Sequence, residues 1–356
     1  MKYILYLFVS GLCFSCSNAQ KPKDDISMAS FIKNEADNAF KKANVPGIFI
    51  GVLNNNERIF YNAGYAVPDT KTVFDSATIF EIGSITKTFT AYILMHVLKE
   101  KGISDSSSII KYLPGPVQKN KALDKISFLS LMNHTSGLPR LPENLDLNTN
   151  MMAPYDDYTA ALLYECLEKV VPAPNGQSSY SNLGMGLAGV LAERISGKNY
   201  ATLLEEYIMR PFKIVTPLET TATNKSQGYF GSDKSDFWHA AALAPAGGIK
   251  SSAQEILSYL QYMSSPADSS AAAIIGKLLE PTATLAPKVS VCRAWHTSEE
   301  KDKPVIYWHN GGTYGFSTFA AFVKGQKKGV IVVVNKFNEN MVSDKLGITI
   351  MKELLK

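Results

Sequence analysis

Apolar and polar residues follow two different patterns along this chain, and the change of pattern divides it into three stretches. Near both ends, short apolar runs between turn-forming residues are typical of β-strands, whereas the middle has the wider apolar spacing of helices. The strand-like runs are Gly47–Leu53, Arg58–Tyr65, Val289–Trp295, Pro304–Trp308, Ser317–Val323 and Gly329–Asn335. The last run contains Val330–Val334, whose continuous β-branched residues favour a central strand. We therefore expect one sheet built from both ends of the chain, with a helical insertion between them.

Helices are predicted in all three stretches from apolar residues that recur on one face. A turn at Gly83 opens a helix that runs from Ser84 to about Lys101 and is apolar on most sides, as a core helix is. Pro245–Ser251 is predicted to form a turn. The other expected helices are Ile26–Ala43, a short one ending at Leu131, Tyr158–Val171, Ser181–Ser196, Tyr200–Met209, Ala253–Met263 and Asp344–Lys356.

The N-terminus has the pattern of an export signal. Lys2 precedes the apolar run Tyr3–Phe14, which is too short for a comfortable membrane span, and small polar residues follow. Cleavage before Cys16 would give a lipid-anchored protein, and cleavage after Ala19 a soluble one. The polar stretch Ser17–Asp25 is a suitable tether, so we favour the lipid anchor. Either way, we expect an exported protein that is periplasmic or anchored to a membrane.

Charge and cysteine content exclude several other classes of function. The 356 residues carry a formal net charge of only +4, and the basic residues are scattered, so no nucleic-acid partner is expected. The histidines and cysteines show no metal-ligand spacing, so neither a metal nor another cofactor is expected. Cys166 and Cys292 are predicted to be free and buried. His96, His134, His239 and His296 are expected to have structural roles.

The first candidate for chemistry is the stretch Phe80–Lys87. Ser84 and Lys87 are three residues apart and so share one face of the predicted helix. A neutral lysine can take the serine proton, but free lysine titrates near ~10.4, so burial must lower its pKa by about 3 units. The helix N-terminus also favours an oxyanion forming at Ser84. By itself, the spacing fits a helix-capping serine beside a surface lysine equally well.

The second candidate, Tyr180-Ser181-Asn182, precedes another predicted helix. A phenol can pass a proton between nucleophile and leaving group, and an asparagine amide can hold a substrate carbonyl. Helix capping by Ser181 or Asn182 is the alternative explanation, and it leaves Tyr180 unexplained.

The third candidate is His309-Asn310-Gly311-Gly312, between two predicted strands. Glycines allow close approach of the backbone to a substrate, and the Gly312 amide is a candidate oxyanion donor beside that of Ser84. His309 would face the substrate's carboxylate or Tyr180. A hairpin turn with a structural histidine is the alternative.

The three motifs in this order resemble the serine penicillin-recognising hydrolases, which include class C β-lactamases, D-Ala-D-Ala carboxypeptidases, D-aminopeptidases and related esterases. The stretches Asn133–Pro139 and Pro245–Ser251 are similar to segments of that family too. The resemblance implies an α/β (α+β) fold: an antiparallel sheet flanked by helices, plus an all-helical subdomain. Residues 26–356 would form the domain, with 26–102 and 243–356 in the sheet subdomain and 103–242 in the helical one.

The resemblance also implies roles for the site residues. Ser84 would be the acylated nucleophile, Lys87 and Tyr180 would share the acid and base work in an unassigned order, and Asn182 would orient the substrate. Among the substrate-binding residues are also His309, Gly311 and Gly312, and the amides of Ser84 and Gly312 would form the oxyanion hole. His309 replaces the lysine of class C β-lactamases, which weakens the case for an efficient β-lactamase.

Several functions therefore stay open. The expected substrate is a small molecule or a peptide, and the expected reaction is hydrolysis of an amide, peptide or ester, possible targets being D-amino-acid peptides of the cell wall. A promiscuous esterase, a true β-lactamase and a penicillin-binding sensor that turns over slowly are the alternatives. Specificity is expected to lie in the loops Arg140–Asp157 and Gln227–Trp238.

Overall fold

An eight-stranded antiparallel sheet lies at the centre of the fold, in a computed structural model that describes residues 23–147, 152–174, 177–239 and 241–356. Its strands are β1 (Gly47–Asn54), β2 (Glu57–Gly64), β7 (Ala283–Ala286), β8 (Val289–Val291), β9 (His296–Ser298), β10 (Ile306–Gly312), β11 (Ser317–Val323) and β12 (Gln326–Val334). Their spatial order is β2-β1-β12-β11-β10-β9-β8-β7. The N-terminal hairpin therefore joins the C-terminal strands through the β1–β12 pair, as predicted. The predicted export signal and Cys16 lie outside the described residues.

Helices cover both faces of this sheet. The described helices are α1 (Lys23–Lys42), α2 (Thr86–Glu100), α3 (Phe128–Met132), α4 (Ala160–Lys169), α5 (Asn182–Ser196), α6 (Tyr200–Leu204), α7 (Arg210–Phe212), α8 (Ala244–Gly247), α9 (Ala253–Ser264), α10 (Ser269–Leu278) and α11 (Asn340–Leu354). Alternate residues of β12 point to opposite faces. Val330 and Val332 pack in a core with α1 and α11, whereas Ile331 and Val333 pack in a larger core with α2, α5 and α9. The predicted fold class, an antiparallel sheet flanked by helices, is confirmed.

The middle of the chain departs from the prediction of an all-helical subdomain. Its regular structure is mainly helical with long loops between, but β4 (Gly228–Phe230) and β5 (Asp233–Ser235) form a separate hairpin there. The helix predicted at Tyr200–Met209 is also interrupted, because Glu205–Met209 forms π-helical turns between α6 and α7. The turn predicted at Pro245–Ser251 is the short helix α8 followed by β6 (Lys250–Ser251).

Two further findings concern the cysteines and the length and hydropathy of the helices. Cys166 and Cys292 are buried and free, as predicted. Across the described ranges, none of the helices has both the length and the hydropathy required to span a bilayer.

Candidate active site

The strand-to-helix turn at Ser84 is held between two parts of the chain. β3 (Phe80–Glu81) pairs with β6, and the backbone then turns at Gly83, whose φ of +54° favours glycine. Ser84 lies in the 3₁₀ turn Gly83–Ile85, which continues directly into α2. The hydroxyl of Ser84 is thereby presented at the N-terminal end of a buried helix.

Lys87 lies one turn further along and is completely buried, with 0% of its surface exposed. Its Nζ is 3.0 Å from Ser84 Oγ and donates to the Ala246 carbonyl oxygen at 2.6 Å. Burial holds the pKa of Lys87 well below its usual value, and the positive charge of Arg140 lowers it further. Both effects favour the uncharged amine, which has a lone pair available for the Ser84 proton. The surface-lysine alternative is excluded.

The Tyr180 phenol faces Ser84 from the start of α5. Burial raises the pKa of Tyr180, while the hydrogen bond with Ser84 and the charge of Arg140 act in the opposite direction. Lys87 Nζ lies 4.8 Å from the centroid of the Tyr180 ring, and the His134 ring packs at 4.5 Å between centroids. Tyr180 is thus a protonated phenol at neutral pH and is held in place by its neighbours.

His134 supports this arrangement through the backbone. It has a left-handed φ of 62°, and its Nδ1 accepts the Ser181 N–H at 3.2 Å. Burial holds the pKa of His134 well below its usual value, so the ring is neutral. The structural hydrogen-bonding role predicted for this histidine is what the geometry shows.

At the start of α5, one residue caps the helix and the next is the candidate substrate contact. Ser181 caps the helix, since its Oγ accepts the Gly184 N–H at 2.8 Å and donates to the Pro139 carbonyl oxygen at 2.7 Å. Asn182 therefore does not cap the helix. Its side chain lines the cavity in front of Ser84, and its Oδ1 is buried without a hydrogen-bond partner in the part of the chain that the structure describes. An unpaired amide oxygen is an acceptor, so it suits a substrate N–H rather than the substrate carbonyl predicted from the sequence.

His309 does not occupy the predicted position, and this corrects the expectation of a direct substrate contact. Its side chain is 0% exposed, and its Nδ1 donates to the Asn310 carbonyl oxygen. The ring lies 6.3 Å from that of Tyr180 and 5.1 Å from that of His296, between centroids. Burial holds the pKa of His309 well below its usual value. It is therefore a neutral residue behind the cavity wall, although it lies in strand β10 rather than in a turn.

The two glycines of β10 differ in the space around them. A Cβ on Gly311 would lie 2.1 Å from the Ile82 carbonyl oxygen and 2.3 Å from Thr318 Oγ1. Gly312 has room for a side chain, but its amide nitrogen would lie 2.6 Å from a Cβ on Gly83. Gly311 therefore allows the strand to approach the Ser84 turn, and this approach brings the Gly312 amide beside it.

A cavity of about 520 Å³ opens in front of Ser84. Aromatic side chains form one wall: the Trp238 ring contacts those of Tyr155 and Tyr314 edge-on, at 4.9 and 5.1 Å between centroids. Arg140 also lines the cavity, with its guanidinium carbon 5.2 Å from the Tyr180 ring centroid. The loops Arg140–Asp157 and Gln227–Trp238, where specificity was expected, thus contribute to this wall.

Glu81 is a site residue that the sequence did not single out. Its buried carboxylate accepts the Trp238 N–H at 2.6 Å and the Thr313 hydroxyl at 2.7 Å. Burial raises its pKa to about 7 against the lowering effect of these bonds and of the Lys250 charge. Glu81 thereby connects the Ser84 turn to two loops of the cavity wall. Its only signal in the sequence was its place three residues before the serine.

No metal site is evident in the described ranges, where no group of three or more His, Cys, Asp or Glu side chains is placed to bind an ion. Five of the seven predicted site residues line one cavity: Ser84, Tyr180, Asn182, Gly311 and Gly312. Lys87 lies beneath Ser84, and His309 is set back behind the wall. Their chemical roles stay predictions.

A serine hydroxyl beside a buried amine whose pKa is lowered, on a mixed α/β scaffold, is the arrangement of a serine hydrolase. The sequence profile described as Beta-lactamase matches residues 31–353, and the chain belongs to that family. The predicted family of serine penicillin-recognising hydrolases is thus confirmed, and with it the class of serine hydrolases.

The names of the relatives describe more than one activity. A beta-lactamase of Pseudomonas fluorescens is 30% identical over 64% of this chain and 62% of its own length, so the match spans less than two thirds of that relative. A D-alanyl-D-alanine-carboxypeptidase/endopeptidase, AmpH of Escherichia coli K12, is 24% identical over 93% of this chain and 91% of its own. Among solved structures, a beta-lactamase/D-alanine carboxypeptidase of Pseudomonas syringae superposes with a TM-score of 0.80 at 22% identity, over 92% of this chain and 99% of that one. A class C beta-lactamase of Rhodobacter sphaeroides has a TM-score of 0.76 at 21% identity, over 89% and 99%.

Proposed function

We propose that this protein hydrolyses amide, peptide or ester bonds through a covalent acyl intermediate on Ser84. The observation that carries the proposal is the buried Lys87 amine, whose pKa is lowered by burial and whose Nζ lies 3.0 Å from Ser84 Oγ at the cavity. Each unit by which burial lowers a lysine pKa lowers the free energy of unfolding by about 1.4 kcal/mol at neutral pH. The protein therefore keeps Lys87 buried at a cost to its stability. A purely structural lysine would have no need of a serine hydroxyl as its neighbour.

The charge states suggest the order of proton transfers. Burial favours the neutral amine of Lys87 and the protonated phenol of Tyr180 in the free protein, so we assign Lys87 as the base that takes the Ser84 proton first. Ser84 Oγ then attacks the substrate carbonyl, and the amides of Ser84 and Gly312 stabilise the oxyanion. The phenol of Tyr180 gives its proton to the departing nitrogen or oxygen, and the Lys87 ammonium returns a proton to it. Water then hydrolyses the ester on Ser84.

Peptides that end in D-amino acids are the substrate class we favour. Among the relatives that cover nearly the whole of both chains, one is named as a carboxypeptidase and endopeptidase for D-alanyl-D-alanine, and others are named as beta-lactamases. Ester hydrolysis and β-lactam hydrolysis use the same acyl step, and the names of other relatives favour the latter.

The test is the intact mass of the protein after incubation with a penicillin. A transient or lasting gain of the whole penicillin mass is expected, because the opened ring stays attached after the amide bond breaks. Ser84→Ala should gain nothing, whereas Ser106→Ala, at an exposed serine outside the cavity, should label like the native protein. Release of D-alanine from an acyl-D-Ala-D-Ala peptide then distinguishes a peptidase from a β-lactamase. No adduct and no turnover of any peptide, ester or β-lactam would contradict the proposal.

We also propose export, with a lipid on Cys16 as the favoured anchor. The support is the sequence pattern of residues 1–25 alone. Expression of the full chain and of Cys16→Ser in a bacterium tests it: the native protein should be labelled by a fatty-acid precursor and found with the membrane, and the variant should be neither. Cytoplasmic native protein would contradict export.

A further inference from the structure

The wall of the Ser84 cavity carries almost no charge. In the described part of the chain, its lining contains no aspartate, glutamate or lysine, and Arg140 supplies the one permanent charge. Lys87 lies beneath Ser84 rather than in the wall, and burial favours its uncharged form. A cation with no compensating anion makes the cavity attractive to a negatively charged ligand.

Arg140 is fixed where it lies by its backbone. The preceding Pro139 accepts the Ser181 hydroxyl, and the carbonyl oxygen of Arg140 accepts the N–H groups of Asn182 and Leu183 at 2.9 and 3.3 Å. The loop is thus tied to the first turn of α5, beside Tyr180. The guanidinium packs on the Tyr180 ring and remains exposed to solvent. Within the described ranges, no carboxylate lies within the 4.0 Å of a salt bridge to it.

The three histidines near the cavity do not supply a competing cation. Burial holds the pKa of His134, which packs on Tyr180, well below its usual value. His309 is completely buried and bonded to its own strand. His296 touches the cavity, but burial lowers its pKa to about 4, so the ring is neutral at physiological pH. His309 therefore does not supply the positive charge of the lysine that class C β-lactamases carry at its position.

We propose that Arg140 is the residue that binds a carboxylate of the substrate, from the side of the Asn133–Arg140 loop rather than from strand β10. The inference rests on the proposed hydrolysis at Ser84 and narrows its substrate class to anionic acyl compounds. A guanidinium presents paired N–H donors that match the two oxygens of a carboxylate, so Arg140 binds it with geometry as well as charge. Asn182 is adjacent and offers its amide to the same ligand.

The test compares substrates that differ only in one charge. Thioesters of one acyl group with thioglycolate, with its neutral amide and with cationic thiocholine release thiols that a dye detects. A second pair, succinyl and succinamoyl thioesters, places the charge on the acyl side. Arg140→Ala is expected to lower kcat/KM for one anionic thioester about 10- to 100-fold, with a smaller change for its neutral partner. Arg140→Lys should retain part of the preference, and Arg140→Glu should shift it towards thiocholine.

Arg210→Ala is the matched control. Arg210 is an exposed arginine that does not line the cavity, so its removal deletes the same charge elsewhere. It should leave the preference for anionic substrates unchanged. The proposal is overturned if Arg140→Ala lowers anionic and neutral turnover equally in both pairs, or changes neither.

A binding measurement separates this inference from the proposed function. Calorimetry on Ser84→Ala, with and without Arg140→Ala, compares the thioglycolate ester with its amide and needs no turnover. Weaker binding of the anionic compound alone, after loss of Arg140, supports the inference even if the native protein proves inactive. Equal binding of both compounds before and after the substitution contradicts it, whatever the fate of the acyl-enzyme.

Discussion

Gly83 and Gly312 approach each other so closely that a Cβ on Gly83 would lie 2.6 Å from the Gly312 amide nitrogen. The first belongs to the turn before the nucleophile and the second to the end of strand β10. Their contact sets the distance between the two amides assigned to the oxyanion hole, those of Ser84 and Gly312. It is possible because Gly83 has no side chain and tolerates a φ of +54°.

Gly83→Ala is therefore expected to move strand β10 away from Ser84. Loss of one oxyanion donor lowers kcat by about 100- to 1,000-fold in other acyl-transfer enzymes, and we expect a fall of that order here. Strain at the positive φ should also lower the free energy of unfolding, by about 1–3 kcal/mol. The acylation rate and urea denaturation measure the two effects.

Gly312→Ala is the control for that variant. A Cβ there meets only Asn340 Oδ1, at 3.4 Å, and the amide is retained. Its unfolding free energy should stay within about 1 kcal/mol of the native value. If Gly83→Ala acylates as fast as Gly312→Ala, the contact does not position the oxyanion hole.

Lys87→Met should abolish acylation and change how stability depends on pH. Folding transfers Lys87 from water, where it is protonated up to about pH 10, to a site where burial lowers its pKa and it is neutral. The unfolded chain thus binds one more proton, and native stability rises with pH up to about pH 10, by about 1.4 kcal/mol per unit at most. Lys87→Met lacks this dependence. Its stability relative to the native protein should therefore fall as the pH rises from 7 to 10.

Urea denaturation of both proteins at several pH values checks this, with Lys101→Met as control. Lys101 is exposed, so its ammonium stays in water in both states. The control should keep a constant difference from the native protein. A constant difference for Lys87→Met too would mean that Lys87 is charged in the folded state.

Much of the fold followed from local pattern. The hairpin β1–β2 and the central run Val330–Val334 were predicted because buried strands carry β-branched residues and turns carry asparagine. The hairpin β4–β5 and strand β7 were not, since they are short and partly exposed, with weak alternation. Their pairing depends on neighbours distant in sequence.

The positions of the site residues, too, could be predicted only where the sequence signal is local. Ser84, Lys87, Tyr180 and Asn182 were identified because their spacing on helix starts is local. The position of His309 was not, because which face of β10 it occupies depends on strand register. Arg140 approaches Tyr180 only because its loop bonds to α5, which no local pattern reveals.

Glu81→Gln should weaken the pH dependence of stability at acid pH. Burial raises the pKa of Glu81 from its usual 4.5 to about 7, so the folded protein binds one more proton than the unfolded chain between those values. Protonated Glu81 stabilises the folded protein in full below about pH 4.5. This stabilisation is lost as the pH rises to 7, a change of about 3 kcal/mol in the free energy of unfolding. The native protein should therefore lose stability relative to Glu81→Gln over this interval. Thermal unfolding from pH 4.5 to 7.5 measures it, and parallel curves would refute the burial argument.

The preference for anionic substrates should not depend on pH between 5.5 and 8. Arg140 is charged throughout this range, whereas burial keeps the nearby rings of His309 and His296 neutral, the latter with a pKa of about 4. If a histidine bound the carboxylate, the ratio of kcat/KM for anionic over neutral thioester would fall as the pH rose through its pKa, because the imidazolium would lose its charge. Rates for both thioesters at each pH give that ratio directly, and the shared dependence on Lys87 cancels. A ratio that declines several-fold above pH 6 would transfer the carboxylate contact from Arg140 to a histidine.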